Sequence, residues 1–187
     1  MIEAELKARV RAPEAVLTSL EERAVGRSEV YQDTYFDTPE GALASMDCEV
    51  RVRTVHGPNE TRSLLTYKTA RVDEASGAKP EHETQVSDPR VIRALLQGLG
   101  YVEAISFEKR CRNFEFVARG RAMIATLVRV PEITGTFIEL ETQAEQDELQ
   151  DALDDVWAVL EELGIGEADL TTEQYTDAVR AKRATRS

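Results

Sequence analysis

The chain has no apolar run long enough to span a bilayer, and its start shows neither the basic n-region nor the apolar h-region of a secretory leader, so a cytoplasmic protein without membrane contact is expected. Cysteine is scarce. Cys48 and Cys111 are the only two. Each sits in a strand-like run without metal-ligand spacing, which predicts two reduced thiols rather than a disulfide framework. Histidine is equally sparse: His56 and His82 are not spaced as a zinc motif, and His56 precedes the turn residues Gly57-Pro58-Asn59, so neither is placed as a catalytic base. Positive charge is outweighed, with 23 Lys and Arg against 35 Asp and Glu and a formal net charge of −12. That balance argues against a nucleic-acid binder or an anionic-membrane binder.

What is present is globular. Hydrophobic residues make up 42% and charged residues 31% of 187, enough for one domain over residues 1–187 with a real core. There is no internal repeat and no low-complexity linker. The charge is unevenly spread: strand-like segments are dense in Arg and Lys, whereas residues 145–169 are strongly acidic. Clustered bases in an acidic protein point to a private anion site rather than a basic surface.

Strand-like segments recur at about 2–11, 29–37, 47–55, 62–70, 80–87, 105–117, 121–130 and 134–142, separated by turn chemistry such as Asp37-Thr38-Pro39-Glu40-Gly41 and Arg119-Gly120-Arg121. Helical spacing appears in Val16, Leu17 and Leu20. It returns after the Asp88-Pro89 cap in Val91, Ile92, Leu95, Leu96 and Leu99, then in Leu149, Leu153, Val156, Trp157, Leu160 and Leu163, with a last helix at about 172–183. The predicted fold is α+β: an eight-stranded antiparallel β-barrel with flanking and C-terminal helices, its lumen wide enough for one small ligand. A monomer and a homodimer are both compatible with the acidic helix at 145–163.

The strands carry charge on one face. Residues 2–11 alternate strictly, placing Glu3, Glu5, Lys7, Arg9 and Arg11 opposite Ile2, Ala4, Leu6, Ala8 and Val10. Glu49, Arg51 and Arg53 share a face, as do Leu64, Thr66 and Lys68; Glu81, Glu83 and Gln85; Arg110 and Arg112; and Phe137, Glu139 and Glu141. An ordinary barrel would turn these charges to solvent. Here Ala4, Leu6, Val50, Val52, Ile138 and Leu140 would instead pack beneath the helices, leaving the charges in the lumen. Residues two apart on a strand lie roughly 6.5–7 Å from each other, so paired carboxylates reach one cation or flank two. Hard oxygen ligands select Mg²⁺ or Mn²⁺, while Arg and Lys suit phosphate oxygens.

At these residues the sequence resembles the CYTH superfamily, the triphosphate tunnel metalloenzymes, which include class IV adenylyl cyclases, thiamine triphosphatases and tripolyphosphatases. The resemblance runs through Glu3-Ala4-Glu5-Leu6-Lys7, Asp33-Thr34-Tyr35-Phe36-Asp37-Thr38-Pro39, Arg51-Val52-Arg53, Thr66-Tyr67-Lys68 and Glu81-His82-Glu83. It continues in Glu108-Lys109-Arg110-Cys111-Arg112 and Gly135-Thr136-Phe137-Ile138-Glu139-Leu140-Glu141. It implies a tunnel that binds a triphosphate-containing small molecule or inorganic polyphosphate. Arg51, Arg53, Lys68, Arg110 and Arg112 would grip phosphates with Lys7 assisting, and Glu3, Glu5, Glu139 and Glu141 would hold Mg²⁺ or Mn²⁺. Glu81 and Glu83 would orient the bases or a second metal. Lys109 is the alternative to Arg110, with strand alternation favouring Arg110 and Arg112. Two departures stand out. The carboxylate that relatives carry before the Gly-x-Phe-x-Glu-x-Glu segment falls on Arg129, and Tyr175, where many relatives have Ser-Tyr, is expected to pack the closing helix rather than meet substrate.

The implied chemistry is metal-dependent hydrolysis of a triphosphate, with Glu5 or Glu139 orienting the water and Lys7 assisting. The same tunnel also suits a cyclase forming cyclic AMP and pyrophosphate from ATP, or a non-catalytic polyphosphate or nucleotide binding module.

Overall fold

Eight strands make one antiparallel sheet whose spatial order is β1-β8-β7-β6-β2-β3-β4-β5. In chain order they are β1 (Ile2–Val10), β2 (Arg27–Asp37), β3 (Glu49–His56), β4 (Thr61–Lys68), β5 (Glu81–Val86), β6 (Val102–Ala118), β7 (Arg121–Arg129) and β8 (Thr136–Ala144). The helices are α1 (Pro13–Glu21), α2 (Ala42–Ser45), α3 (Pro89–Gly98), α4 (Leu149–Glu162) and α5 (Tyr175–Ala184). The computed structural model describes residues 2–74 and 76–185. None of the helices among them is long and apolar enough to cross a membrane.

The sheet curls until its edges meet. β1 and the residue before β5 touch at a single bridge, Ile2 to Pro80, and the ammonium of Lys68 on β4 reaches Glu3 on β1 at 3.2 Å. The sheet is therefore barrel-like with one seam closed mainly by side chains. Strand twist brings the edges round. The 17-residue β6 carries the longest ladder, to β2 on one side, and pairs with β7 on the other. The β6–β7 hairpin turns at Arg119 and Gly120, both at positive φ (52° and 77°), the conformation that a tight two-residue hairpin requires.

The helices explain which face is inside. Ala8, Val10, Met123, Ala125, Leu127, Ile138 and Leu140 form one buried core with Val156, Val159 and Leu160 of α4 and Val16 and Leu20 of α1. A second cluster joins Ile2, Ala4 and Ala144 to Leu149, Ala152 and Leu153. The apolar faces of β1, β7 and β8 thus point outward, into helices that remove them from water at roughly 25 cal/mol per Å². The acidic side of α4 stays in solvent. α3 begins where expected, Asp88 accepting the Arg90 backbone N–H at 2.8 Å with Pro89 in its first turn, and lies over β3 and β4. α5 closes the far end, Tyr175 and Val179 packing on Ile105, Phe107, Val128, Val130 and Phe137. Cys48 and Cys111 are both free thiols, as anticipated.

Candidate active site in the barrel lumen

With the apolar faces turned out, the alternating charges turn in. They line a cavity of about 300 Å³. Its rungs follow from the register. Glu5 faces Glu141, and Lys7 faces Glu139. Asp33 faces Arg53, and Tyr35 faces Arg51. Glu49 faces Lys68 across β3 and β4, and Lys68 faces Glu81 across β4 and β5.

The acids gather at the seam. One carboxylate oxygen from each of Glu3, Glu5 and Glu141 lies within 4.8 Å of the others. Burial, with Glu3, Glu5 and Glu139 nearby, pushes the Glu141 carboxyl well above the usual carboxylate range. Like charges held together out of water are relieved by a shared proton or by a cation, and an all-oxygen set of this kind fits a hard divalent ion. Glu139, expected in the same set, stands apart. It lies one rung deeper, opposite Lys7, with Lys109 Nζ 3.4 Å from its Oε1. Burial opposes its charge, but Lys109 and Lys7 outweigh burial and keep it an anion.

The cations sit between and beyond the acids. Lys68 is held by Glu3 at 3.2 Å and Glu81 at 2.8 Å. Burial disfavours its charge, yet Glu3, Glu5 and Glu81 together hold its proton more tightly than usual. Arg53 is gripped by both oxygens of Asp33, at 2.6 and 2.7 Å. Arg51 Nη2 donates to Thr66 Oγ1 at 3.3 Å and lies 3.8 Å from Glu83, while Thr66 donates to Glu83 at 2.8 Å. The Arg51 Nε is buried with no partner among the described residues. Lys7 gives its ammonium to the carbonyl of Glu173, and burial lowers its pKa.

Strand β6 requires a correction. Arg110 and Arg112 point away from the lumen: Arg110 pairs with Glu108 at 3.0 Å and Arg112 with Glu21 of α1 at 2.6 Å. Lys109 is the residue inside, 5% exposed and opposite Tyr31 of β2. Alternation holds, but with the other parity. Cations occupy both faces of 108–112, and only the partner strand distinguishes them. The same holds on β7. Arg129 is exposed and lies across from the outward Arg110, so it adds no contact in the lumen. The inward positions, opposite Glu141, Glu139 and Phe137, are Ile124, Thr126 and Val128. None of the three is charged, so β7 brings no carboxylate to the cavity.

Glu81 and Glu83 face inward as expected. His56 bonds Gln32 and Thr61, and His82 stacks on Tyr67; neither lines the cavity. Three inward groups lie outside the site residues expected from the sequence. Asp33 belongs to the quoted Asp33-Thr34-Tyr35 run, and its inward parity follows from sharing a face with Tyr31 and Tyr35. Lys79, 8% exposed, holds Glu49 at 2.9 Å and the Asp47 carbonyl at 2.8 Å. Nothing in its local sequence marked it. Tyr175, expected to be packing alone, lines the cavity with its ring 4.6 Å from Lys7 Nζ and 4.4 Å from Lys109 Nζ.

Comparison with known proteins accords with this geometry. The CYTH domain family model matches residues 1–175. A Methanocaldococcus jannaschii protein whose name proposes adenylate cyclase activity is 22% identical over 180 residues, 95% of this chain and 98% of its own. A Pyrococcus horikoshii structure superposes with a TM-score of 0.83 at 26% identity, covering 97% of this chain and 99% of that one. A Hippeastrum structure, described as an adenylyl cyclase candidate with a dominant triphosphatase activity, has a TM-score of 0.66 at 20% identity, covering 97% and 96%, a likeness of fold. An eight-stranded lumen lined by matched acids and bases, and a family match over nearly its whole length, make this chain a member of the CYTH domain family.

Proposed function

We propose that the chain hydrolyses a triphosphate at its terminal phosphoanhydride with the help of Mg²⁺ or Mn²⁺. The observation that carries this reading is a single cavity holding three clustered carboxylates, Glu3, Glu5 and Glu141, beside cations that include Lys7, Arg51, Arg53, Lys68 and Lys109. The unpartnered Nε of Arg51 adds a buried donor that still lacks an acceptor. A chain of phosphates supplies both the acceptor oxygens and the charge.

In this reading Glu3, Glu5 and Glu141 hold the divalent ion, which when bound neutralises phosphate charge and lowers the pKa of water. Arg51, Arg53, Lys68 and Lys109 bind the non-bridging oxygens and stabilise charge as it moves toward the leaving group. Asp33 fixes the guanidinium plane of Arg53 through both oxygens, and Thr66, itself bonded to Glu83, takes one donor of Arg51. Glu5 or Glu139 accepts a hydrogen bond from the attacking water. The water oxygen bonds to the terminal phosphorus as the bridging P–O bond breaks; the electron pair leaves on the diphosphate, and a proton of the water passes to the carboxylate that accepted its hydrogen bond and from there to solvent. Lys7, whose proton is held less tightly because of burial, is suited to neutralise that departing oxygen.

A second reading, cyclisation of ATP to cyclic AMP and pyrophosphate, is favoured by the name of the Methanocaldococcus relative. The test is a product-resolved assay of tripolyphosphate, thiamine triphosphate and ATP with each metal. Orthophosphate with a diphosphate supports hydrolysis. Cyclic AMP with pyrophosphate replaces it with the cyclase, and stoichiometric binding without turnover replaces it with a binding module.

A further inference from the structure

Tyr175 is a buried side chain whose hydroxyl faces the Glu139 carboxylate without reaching good hydrogen-bond geometry. It is the first residue of α5, 6% exposed, and its hydroxyl completes no hydrogen bond among the described residues. Two ammonium groups, Lys7 and Lys109, lie against its ring at 4.6 and 4.4 Å, and Phe137 meets it edge-on with centroids 5.4 Å apart. The ring is therefore fixed by cation–π and aromatic contacts. The segment before it is anchored too. Thr171 N donates to the Lys7 carbonyl at 2.9 Å, Leu170 bridges Ala8, and Arg9 pairs with Glu173 at 3.1 Å.

Resting on the triphosphate reading above, we propose that the Tyr175 hydroxyl donates a hydrogen bond to the phosphate group that Lys7 and Lys109 draw to the floor of the tunnel. A hydroxyl left unpartnered inside a protein is a penalty unless a ligand relieves it. The two cations beside this one attract an anion to that spot. Glu139, the carboxylate toward which the hydroxyl faces, is held as an anion chiefly by Lys109 and Lys7, with the hydroxyl a lesser contributor, so the hydroxyl can turn to a phosphate oxygen without leaving Glu139 unpaired. Burial and the Glu139 charge hold the phenol protonated far above neutral pH, so it acts as a donor throughout the working range. Tyrosine supplies what a third lysine would not: a directed donor that adds no charge repulsion to a site already crowded with cations.

The test compares wild type with Tyr175→Phe, which keeps the ring and removes only the oxygen. Tripolyphosphate binding is measured by calorimetry in EDTA, so that neither metal nor turnover contributes, and thermal unfolding is followed with and without tripolyphosphate. The variant is expected to bind about tenfold more weakly, the factor carried by one hydrogen bond to a charged group. Its ligand-free Tm should be equal to or above that of wild type, because an unsatisfied buried hydroxyl has gone. An unchanged Kd beside a binding wild type overturns the proposal alone. So does a lowered ligand-free Tm with unchanged Kd, which marks a packing role. A wild type that binds no tripolyphosphate overturns the triphosphate reading itself, and this one with it.

Discussion

Asp33 holds the guanidinium of Arg53 through both carboxylate oxygens, Oδ1 to Nε at 2.6 Å and Oδ2 to Nη2 at 2.7 Å, with the Asp33 side chain wholly out of water. Burial alone would raise the Asp33 pKa, but Arg53 reverses that and holds it well below the usual range. The folded-state pKa is therefore the depressed one. Its stability contribution is fully present above the unfolded value of 3.8 and is lost as pH falls through the folded value. Asp33→Asn leaves Arg53 as an uncompensated buried cation, a loss of about 3–5 kcal/mol. Urea unfolding from pH 3 to pH 7 checks this: the variant's deficit should be full at pH 7 and narrow below about pH 4.

The inward parity of β6 yields a second expectation. Lys109→Ala should lower kcat/KM for the preferred triphosphate by about 10²-fold or more, as loss of one buried electrostatic donor does. Arg110→Ala and Arg112→Ala remove outward ion pairs to Glu108 and Glu21. They should cost about 1 kcal/mol of stability at most, with kinetics like wild type. Steady-state rates with all three variants decide it; a defect in Arg110→Ala matching that of Lys109→Ala would reverse the assignment.

That parity shows where sequence reasoning ends. Strands such as 2–10 and 136–144 alternate apolar and charged residues cleanly, so one residue fixes the face of all the others, and Glu3, Glu5, Lys7, Glu139 and Glu141 were legible at once. Along 108–112 every position but Cys111 is charged, so the pattern has no apolar reference, and the face is set by β2 lying alongside. Asp33 and Tyr175 escaped for another reason. Their roles depend on partners 20 residues away or more, Arg53 for one and Lys7 and Lys109 for the other, and no local spacing encodes such a meeting. Arg129 was read by offset from Gly135, but the β7–β8 register makes Val128 the inward residue opposite Phe137.

Arg129→Asp should therefore not restore a carboxylate to the lumen. The new acid would lie on the outer face, across from Arg110. Titration of activity with Mg²⁺ and with Mn²⁺ should give the wild-type half-saturation concentration for each. A tightened metal requirement would mean that β7 turns its other face inward when substrate binds.

The carboxylate cluster leads to the last expectation, whose sign is opposite to that of Asp33. Burial and the charges of Glu3, Glu5 and Glu139 raise the Glu141 pKa in the folded state, and Glu81 is raised by burial and Glu3. Above the unfolded carboxylate value of 4.5 the folded protein thus holds more protons than the unfolded one, and stability contributed by these groups declines as pH rises. A divalent ion competes with those protons for the same oxygens. The rise in Tm on adding Mn²⁺ should accordingly be small at pH 5 and grow toward pH 8. Glu141→Gln removes both the proton site and one ligand oxygen's charge. It should flatten the metal-free decline in Tm across this range and weaken Mn²⁺ binding by about 10–100-fold, the scale of loss seen when metal-site groups are altered. Scanning calorimetry of both proteins at a series of pH values, with and without Mn²⁺, gives both quantities; a Mn²⁺ shift independent of pH in wild type would mean that the ion binds away from Glu141.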